Sequence, residues 1–426
     1  MRILVVAYYY PPDSAVGAIR PAKIVRALEA RGHDVQVIAA PGSSETESNP
    51  NVHRVRPMRN PRELYNSFKS PAKRAAIEAA ASASSEGAAV PTRMPAWRRH
   101  IFSILWLPDD KQGFIWPAYR AARSLAREKP FDVIYTSAPP PSVNLVGLWL
   151  SKAIGARWIA EFRDPWLDGV PKPWHARSTF SDAAELRLER ACLRQASEVV
   201  TVTYTAAEKI DAKRKSVSRP PTRVVLNGID DTPAPGKRKA TGPIRAVHVG
   251  SLYHSRDPRP LLSAIAELRR AGQVGARGLI VEFIGDARWY GDVSLEAFAR
   301  EAGIEDVLRL RDTVPHAEVA KILADADLLV LLAQQQPVQV PNKLYEYLGQ
   351  RKPILAFADE EGETTAMLRR AGQHFVVTER DGANTTRIVR DAIDAAGSED
   401  WKPNEEQLEV WRTDRQMATL VSLVEA

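Results

Sequence analysis

Arg256, Lys343 and Glu346 stand where their charges can meet a phosphate and a sugar diol. Lys343 and Glu346 are three apart in Pro341-Asn342-Lys343-Leu344-Tyr345-Glu346-Tyr347-Leu348, so on a helix they share a face. A cation there neutralises phosphate, and a carboxylate one turn deeper accepts two hydrogen bonds from a ribose diol. The same spacing also fits a surface ion pair worth roughly a few tenths of a kcal/mol. Arg256 follows Val249-Gly250-Ser251-Leu252-Tyr253 and precedes a helix expected from about Arg259. Small residues admit a phosphate to the backbone, a helix N-terminus offers free N–H groups, and the guanidinium adds fixed charge, which suits a diphosphate. An ordinary strand-to-helix turn with a solvated arginine is the other reading.

A second set lies in the first half. Asp164, in Arg163-Asp164-Pro165-Trp166, is the one convincing general-base candidate, or else an Asx-turn or helix cap ahead of Pro165. Arg163 is placed to steer an acceptor phosphate. His33, His53, His175, His316 and His374 lack metal-ligand spacing, so no metal site or cofactor is expected. In the stretch 93–107, Trp97, Ile101 and Leu105 would line one helical face edged by arginines, a pattern for docking on anionic lipid or for packing on the N-terminal domain.

The elements that must carry these residues alternate. Near-continuous apolar runs at Arg2 to Ala7, Val35 to Ala39, Phe131 to Ser137, Arg157 to Phe162 and Glu198 to Thr203 read as buried parallel strands separated by helical stretches. A second series runs through Ile244 to Val249, Leu279 to Ile284, Val307 to Leu310, Leu328 to Leu332, Ile354 to Phe357 and Phe375 to Val377. The expected fold is therefore α/β, with two Rossmann-like doubly wound domains, 1–235 and 243–403, facing across a cleft. Residues 41–92 read as a mobile insertion, and Asp230 to Gly242 has the composition of a linker. The last segment, 404–426, reads as one helix.

At 426 residues the chain exceeds one ordinary core of about 100–200 residues. Its 44% apolar and 26% charged residues are those of a globular protein. A net charge of +7 admits anionic partners without choosing one. The basic residues are dispersed without a recognisable nucleic-acid module, which argues against that role. Cys192 stands alone, excluding an intrachain disulfide or thiolate cluster and fitting a reducing cytoplasm. No run nears the roughly 20 apolar residues of a membrane span, so membrane contact is expected to be peripheral. No GxGxxG follows either first strand, as a dinucleotide site would require.

Taken together, PNKLYEYLGQRKPILAF, VHVGSLYHSRDPRPLLSAI, VVLNGID and VTVTYTAAEKI resemble the retaining family 4 glycosyltransferases of GT-B fold. YYYPPDSAVGAIRPAKIVRALEARGHDVQVI is similar to their opening βαβ unit, and TSAPPPSVNLVG with EFRDPW resembles a bacterial polysaccharide-assembly subgroup. The resemblance implies a nucleotide-sugar donor, with UDP favoured, and a glycan or polyprenyl-linked acceptor. It implies that Arg256 and Lys343 hold the donor diphosphate with Gly250, Ser251, Tyr253 and Asn342 around them. It further implies that Glu346 holds the ribose, that backbone at Thr313 to Pro315, centred on Val314, meets the base, and that Gly17 lets the first loop reach the sugar-phosphate. Ser142, Asn144 and Arg163 are the expected acceptor contacts, and the final helix is expected to cross back to the first domain. The chain departs from the family in carrying Val338 where a second Glu is common, Ser251 where Arg is common, Asn144 where the subgroup has His, and Glu161 in place of Asp. A nucleotide-sugar epimerase or hydrolase of the same fold, and an inactive nucleotide-binding scaffold, are the rival readings.

Overall fold

The computed structural model describes all residues except 14, 43–48, 61–95, 169–176, 215–219, 232–241, 254, 274–277 and 373. Two units emerge, one built from the described residues up to Asn227 together with Arg415–Ala426, the other from the described residues of Gly228–Asp414.

The first unit runs β1 (Arg2–Ala7), α1 (Val16–Ala30), β2 (Asp34–Ala39), β3 (Val52–Arg54), α2 (Ala96–Leu105), α3 (Ile115–Glu128), β4 (Val133–Ala138), α4 (Ser142–Ile154), β5 (Arg157–Phe162), α5 (Thr179–Gln195), β6 (Glu198–Thr201), α6 (Tyr204–Arg214) and β7 (Arg223–Val224). Its sheet is parallel throughout, in the order β3-β2-β1-β4-β5-β6-β7. Because β1 and β4 are neighbours and the chain winds outward from each, the crevice for a ligand opens beyond their carboxyl ends. Both faces are covered, which is why the strands are apolar without alternation. One face carries Leu4, Val6, Ile134 and Ala160 against Phe114, Val146 and Trp158. Gly147 lets α4 close on Trp158, since a Cβ there would lie 2.4 Å from the indole. The other face packs Ile3, Val5 and Tyr135 under Ile24 and Leu28 of α1.

The second unit contains β8 (Ile244–Val249), α7 (Arg259–Arg270), β9 (Leu279–Ile284), the short strands β10 (Trp289–Tyr290) and β11 (Val293–Ser294), α8 (Leu295–Glu301), β12 (Leu308–Arg311), α9 (His316–Asp325), β13 (Leu328–Ala333), α10 (Asn342–Gly349), β14 (Ile354–Ala358), α11 (Glu363–Ala371), β15 (Phe375–Val377), α12 (Thr385–Gly397) and α13 (Glu405–Val410). Its main sheet is again parallel, ordered β12-β9-β8-β13-β14-β15, so its switch point lies between β8 and β13. Leu261, Leu262, Ile265 and Leu268 of α7 and Val389 and Ile393 of α12 pack on Ala246, Phe283, Val330 and Leu355.

Two expectations need correction. The insertion expected at 41–92 is not irregular throughout, because Val52–Arg54 adds an edge strand beside β2; 43–48 and 61–92 lie outside the described residues, as does most of the linker expected at Asp230 to Gly242. The single helix expected at the end is two, α13 and α14 (Thr413–Glu425). They part where Arg412 bridges Ile229 and Trp411 turns inward to be buried. Met417, Leu420, Val421 and Val424 of α14 join Ile3 and Val5 in the core of the first unit.

Candidate active site

The second unit's switch point gathers the charges singled out from the sequence. β8 ends at Val249, and Gly250 follows at φ +133°, a conformation that L side chains rarely adopt. Gly285, after β9, abuts it so closely that a Cβ there would lie 2.9 Å from the Gly250 carbonyl carbon. A Cβ on Gly250 would collide with the Lys343 ammonium, and Arg256 Nη1 lies 3.6 Å from the same point. Two cations thus converge on one bare patch of backbone.

Neither cation is neutralised by the protein. No ion pair forms between either of them and any described residue. Arg256 rests over the Tyr253 ring at 4.1 Å and donates to the Ser251 carbonyl at 3.1 Å. Lys343 sits in the first turn of α10, a turn with no acidic residue, where the helix dipole opposes a positive charge. Stability alone would place an anion there, so the arrangement is built for an incoming one. Burial, then Arg256, lowers the Lys343 pKa to about 7, with Glu346 opposing. Glu346 lies half-buried one turn on, its Oε1 3.4 Å from Asn342 Nδ2, and the i,i+3 ion pair weighed from the spacing is not formed.

The scaffold beneath includes residues that sequence reasoning missed. Tyr347 is fully buried and its hydroxyl accepts from Val249 N–H at 3.2 Å, holding α10 against the end of β8. Gln334 donates to the Asp257 carbonyl at 2.9 Å and Gln336 to Ser255 Oγ at 2.7 Å, tying the loop after β13 to the loop after β8. His248 is fully buried beside Phe283, Nδ1 3.0 Å from the Val330 carbonyl. Burial, then Lys343, lowers its pKa to about 3, so it is a neutral ring and adds no third charge. A histidine at the polar end of an otherwise apolar strand was the available signal.

Residues 18–228 match the model of the glycosyl transferase 4-like domain. The chain has the GT-B fold and carries a glycosyl transferase 4-like domain. Sucrose-phosphate synthase from Thermosynechococcus elongatus superposes with a TM-score of 0.63 at 14% identity, over 100% of this chain and 98% of that one. Anabaena HepE in complex with UDP gives 0.58 at 14%, covering all of both chains, and the pneumococcal O-GlcNAc transferase GtfA, with UDP and GlcNAc, gives 0.58 at 9% over 100% and 98%. At such identities the likeness shows the fold. No curated protein sequence matches the chain.

In the first unit, three residues expected to touch the acceptor are occupied elsewhere. Arg163 donates through Nε to the Ala138 carbonyl, through Nη1 to the Gly17 carbonyl and through Nη2 to the Pro139 carbonyl, at 3.0–3.1 Å. The Gly17 carbonyl is an orphan in α1 because residue 21, four positions on, is proline and has no N–H. Arg163 satisfies it and clamps the first loop, so it is not available to steer a phosphate. Asn144 is buried between Thr136 Oγ1, at 2.6 Å, and the Glu161 carbonyl. Ser142 binds buried Asp109 through both N–H and Oγ. These three position loops.

Glu161 anchors the same region. It accepts from Arg20 Nε and Tyr135 at 2.8 Å and from Ser137 at 2.6 Å, in a wholly buried ion pair. Gly17 packs against Tyr9, with 3.0 Å left for a Cβ. Asp164 is half-buried in the bend after β5, beside Arg163, and residues 165–168 that follow it are not helical. Val338, the position at which the resemblance implies a second acid, is buried. Among the described residues no group of three His, Cys, Asp or Glu is placed to hold a metal; His175 lies outside them.

Proposed function

We propose that the enzyme transfers a sugar from a UDP-sugar to a glycan or lipid-linked acceptor, with retention of configuration, in the assembly of a cell-surface polysaccharide. The observation that carries this reading is the pair of unneutralised cations, Arg256 and Lys343, at one backbone patch beside Gly250. Charge on the leaving diphosphate is the main obstacle to glycosyl transfer, and fixed cations in a partly buried site stabilise it most. Glu346 takes the ribose hydroxyls, and backbone at Val314, in the loop after β12, meets the uracil. Support for uracil is that HepE is solved with UDP and with UDP-glucose, and GtfA with UDP. In a retaining reaction the departing phosphate takes the acceptor proton; Asp164 is the base an inverting route would need.

A thermal-shift panel of UDP, GDP and their sugars tests the donor site. Ligand at about a hundredfold over Kd stabilises by about 2.7 kcal/mol, several degrees in midpoint. UDP is expected to raise the midpoint, and Glu346→Ala to remove the shift while melting normally. Flat curves for the wild type across the panel would overturn the assignment.

Contact with an anionic membrane through α2 belongs to the same proposal. Trp97, Ile101 and Ile104 are exposed along one face of that helix, Ile104 standing where Leu105 was expected. Among the described residues no helix is long and apolar enough to cross a membrane, so contact would be lateral. Co-sedimentation with phosphatidylglycerol vesicles is expected, falling with salt and with Trp97→Ala. Equal recovery with phosphatidylcholine vesicles would end the idea.

A further inference from the structure

The sheet of the first unit has its own switch point, between β1 and β4, and with Ser142, Asn144 and Arg163 committed to carbonyls and carboxylates another set of side chains is left there. Tyr8 and Tyr9 follow β1 directly; Asp110 and Lys111 precede α3. Lys111 Nζ lies 2.8 Å from Asp110 Oδ2 and 5.7 Å from the centre of the Tyr8 ring. The Tyr8 and Tyr9 rings meet edge to face at 4.9 Å, and Tyr8 packs edge to face on buried Phe114 at 5.2 Å.

This cluster is held in place from below. Asp109, buried, accepts from Lys111 N–H at 2.7 Å and from Ser142 N–H and Oγ at 2.7 and 2.6 Å, locking the Asp110-Lys111 backbone to the start of α4. All four side chains above it reach solvent in part. No hydrogen bond joins the hydroxyl of Tyr8 or Tyr9 to any described residue. Burial, opposed by Lys111, raises both phenols, so they remain protonated donors.

The chemistry is that of a sugar site. A pyranose presents an apolar C–H face to an aromatic ring and hydroxyls around its rim, and two phenols beside a carboxylate and an ammonium supply donors and acceptors for them. The Asp110–Lys111 pair sums to zero charge, so the cluster lacks the net positive charge that selects phosphate or a uronate.

We propose that Tyr8, Tyr9, Asp110 and Lys111 form the subsite that receives a neutral terminal sugar of the acceptor. The inference rests on the glycosyl-transfer reading above, and its ligand class is an uncharged pyranoside. Tyr9 supplies the stacking face beside Gly17, and the ion pair orients the hydroxyls.

Saturation-transfer NMR on the full chain, with UDP saturating, tests it against methyl glycosides of glucose, galactose, mannose and N-acetylglucosamine, with glucuronic acid and glucose 1-phosphate as anionic comparators. At least one neutral glycoside is expected to bind, through its ring C–H protons. Tyr9→Ala and Asp110→Ala should each weaken it about tenfold, with the UDP thermal shift intact. Should Tyr9→Ala fail to fold, Asp110→Ala carries the test. Absence of transfer to every neutral glycoside, unchanged binding in the variants, or preference for the anionic sugars would overturn the proposal. Failure with UDP still bound sinks this subsite alone; loss of UDP binding in the wild type sinks the donor reading.

Discussion

Gly250→Ala is expected to remove nucleotide binding from an otherwise folded chain. At φ +133° an L side chain is strained, at about 1–3 kcal/mol, and here the new methyl also occupies the place of the Lys343 ammonium. Displacing Lys343 from Arg256 breaks up the paired charge that draws the diphosphate. Together these predict an affinity for UDP at least about a hundredfold weaker, near 3 kcal/mol. Gly272→Ala is the control, since Gly272 has φ +63° with nothing within 4 Å of the added carbon, so it imposes strain without collision. Isothermal titration of both variants decides the matter. Gly250→Ala binding UDP within threefold of Gly272→Ala would mean that the loop after β8 does not meet the diphosphate.

Lys343→Met should have the other large effect, and its signature is a change in pH dependence. In the free protein, burial and then Arg256 hold Lys343 at about 7. A bound diphosphate raises that value, so binding at pH 8 takes up close to one proton. The sign follows. Below pH 7 the ammonium is already formed and its contribution to affinity is flat. Above pH 7, affinity falls by up to about tenfold per pH unit until the bound-state value is reached. Titrations in buffers of differing ionisation enthalpy between pH 7 and 9 should therefore show uptake in the wild type and none in Lys343→Met, with turnover down about 10²–10³-fold. The same substitution removes a buried charge that folding disfavours, so the unliganded variant should melt a few degrees higher near neutral pH. An unchanged proton count would show that another group responds to the ligand.

The strand series, the two-sheet plan and the post-strand position of Gly250, Arg256, Lys343 and Glu346 were legible because each depends on local pattern. Apolar runs mark strands, and the residues just beyond them face the crevice. What stayed hidden depends on partners remote in sequence. Arg163 looked available for a phosphate until Pro21, 142 positions earlier, left the Gly17 carbonyl without an amide partner. Asn144 and Ser142 had the right types for an acceptor and are consumed by Thr136, Glu161 and Asp109. Gln334 and Gln336 read as a polar loop, although they tie together two loops about 80 residues apart. His248 carried no spacing signal, since its meaning comes from the cations above it. The final stretch failed as a single helix because Trp411 and Arg412 answer to Ile229, not to helical periodicity.

The helix Thr413–Glu425 supplies Met417, Leu420, Val421 and Val424 to the layer that covers Ile3 and Val5. On the ribosome β1 therefore waits for part of its cover until the whole second unit, Gly228–Asp414, has been made. Because α1 covers that face only in part, the first sheet cannot finish packing until the intervening second unit has been synthesised, and its apolar surface stays open to chaperones or aggregation for that interval.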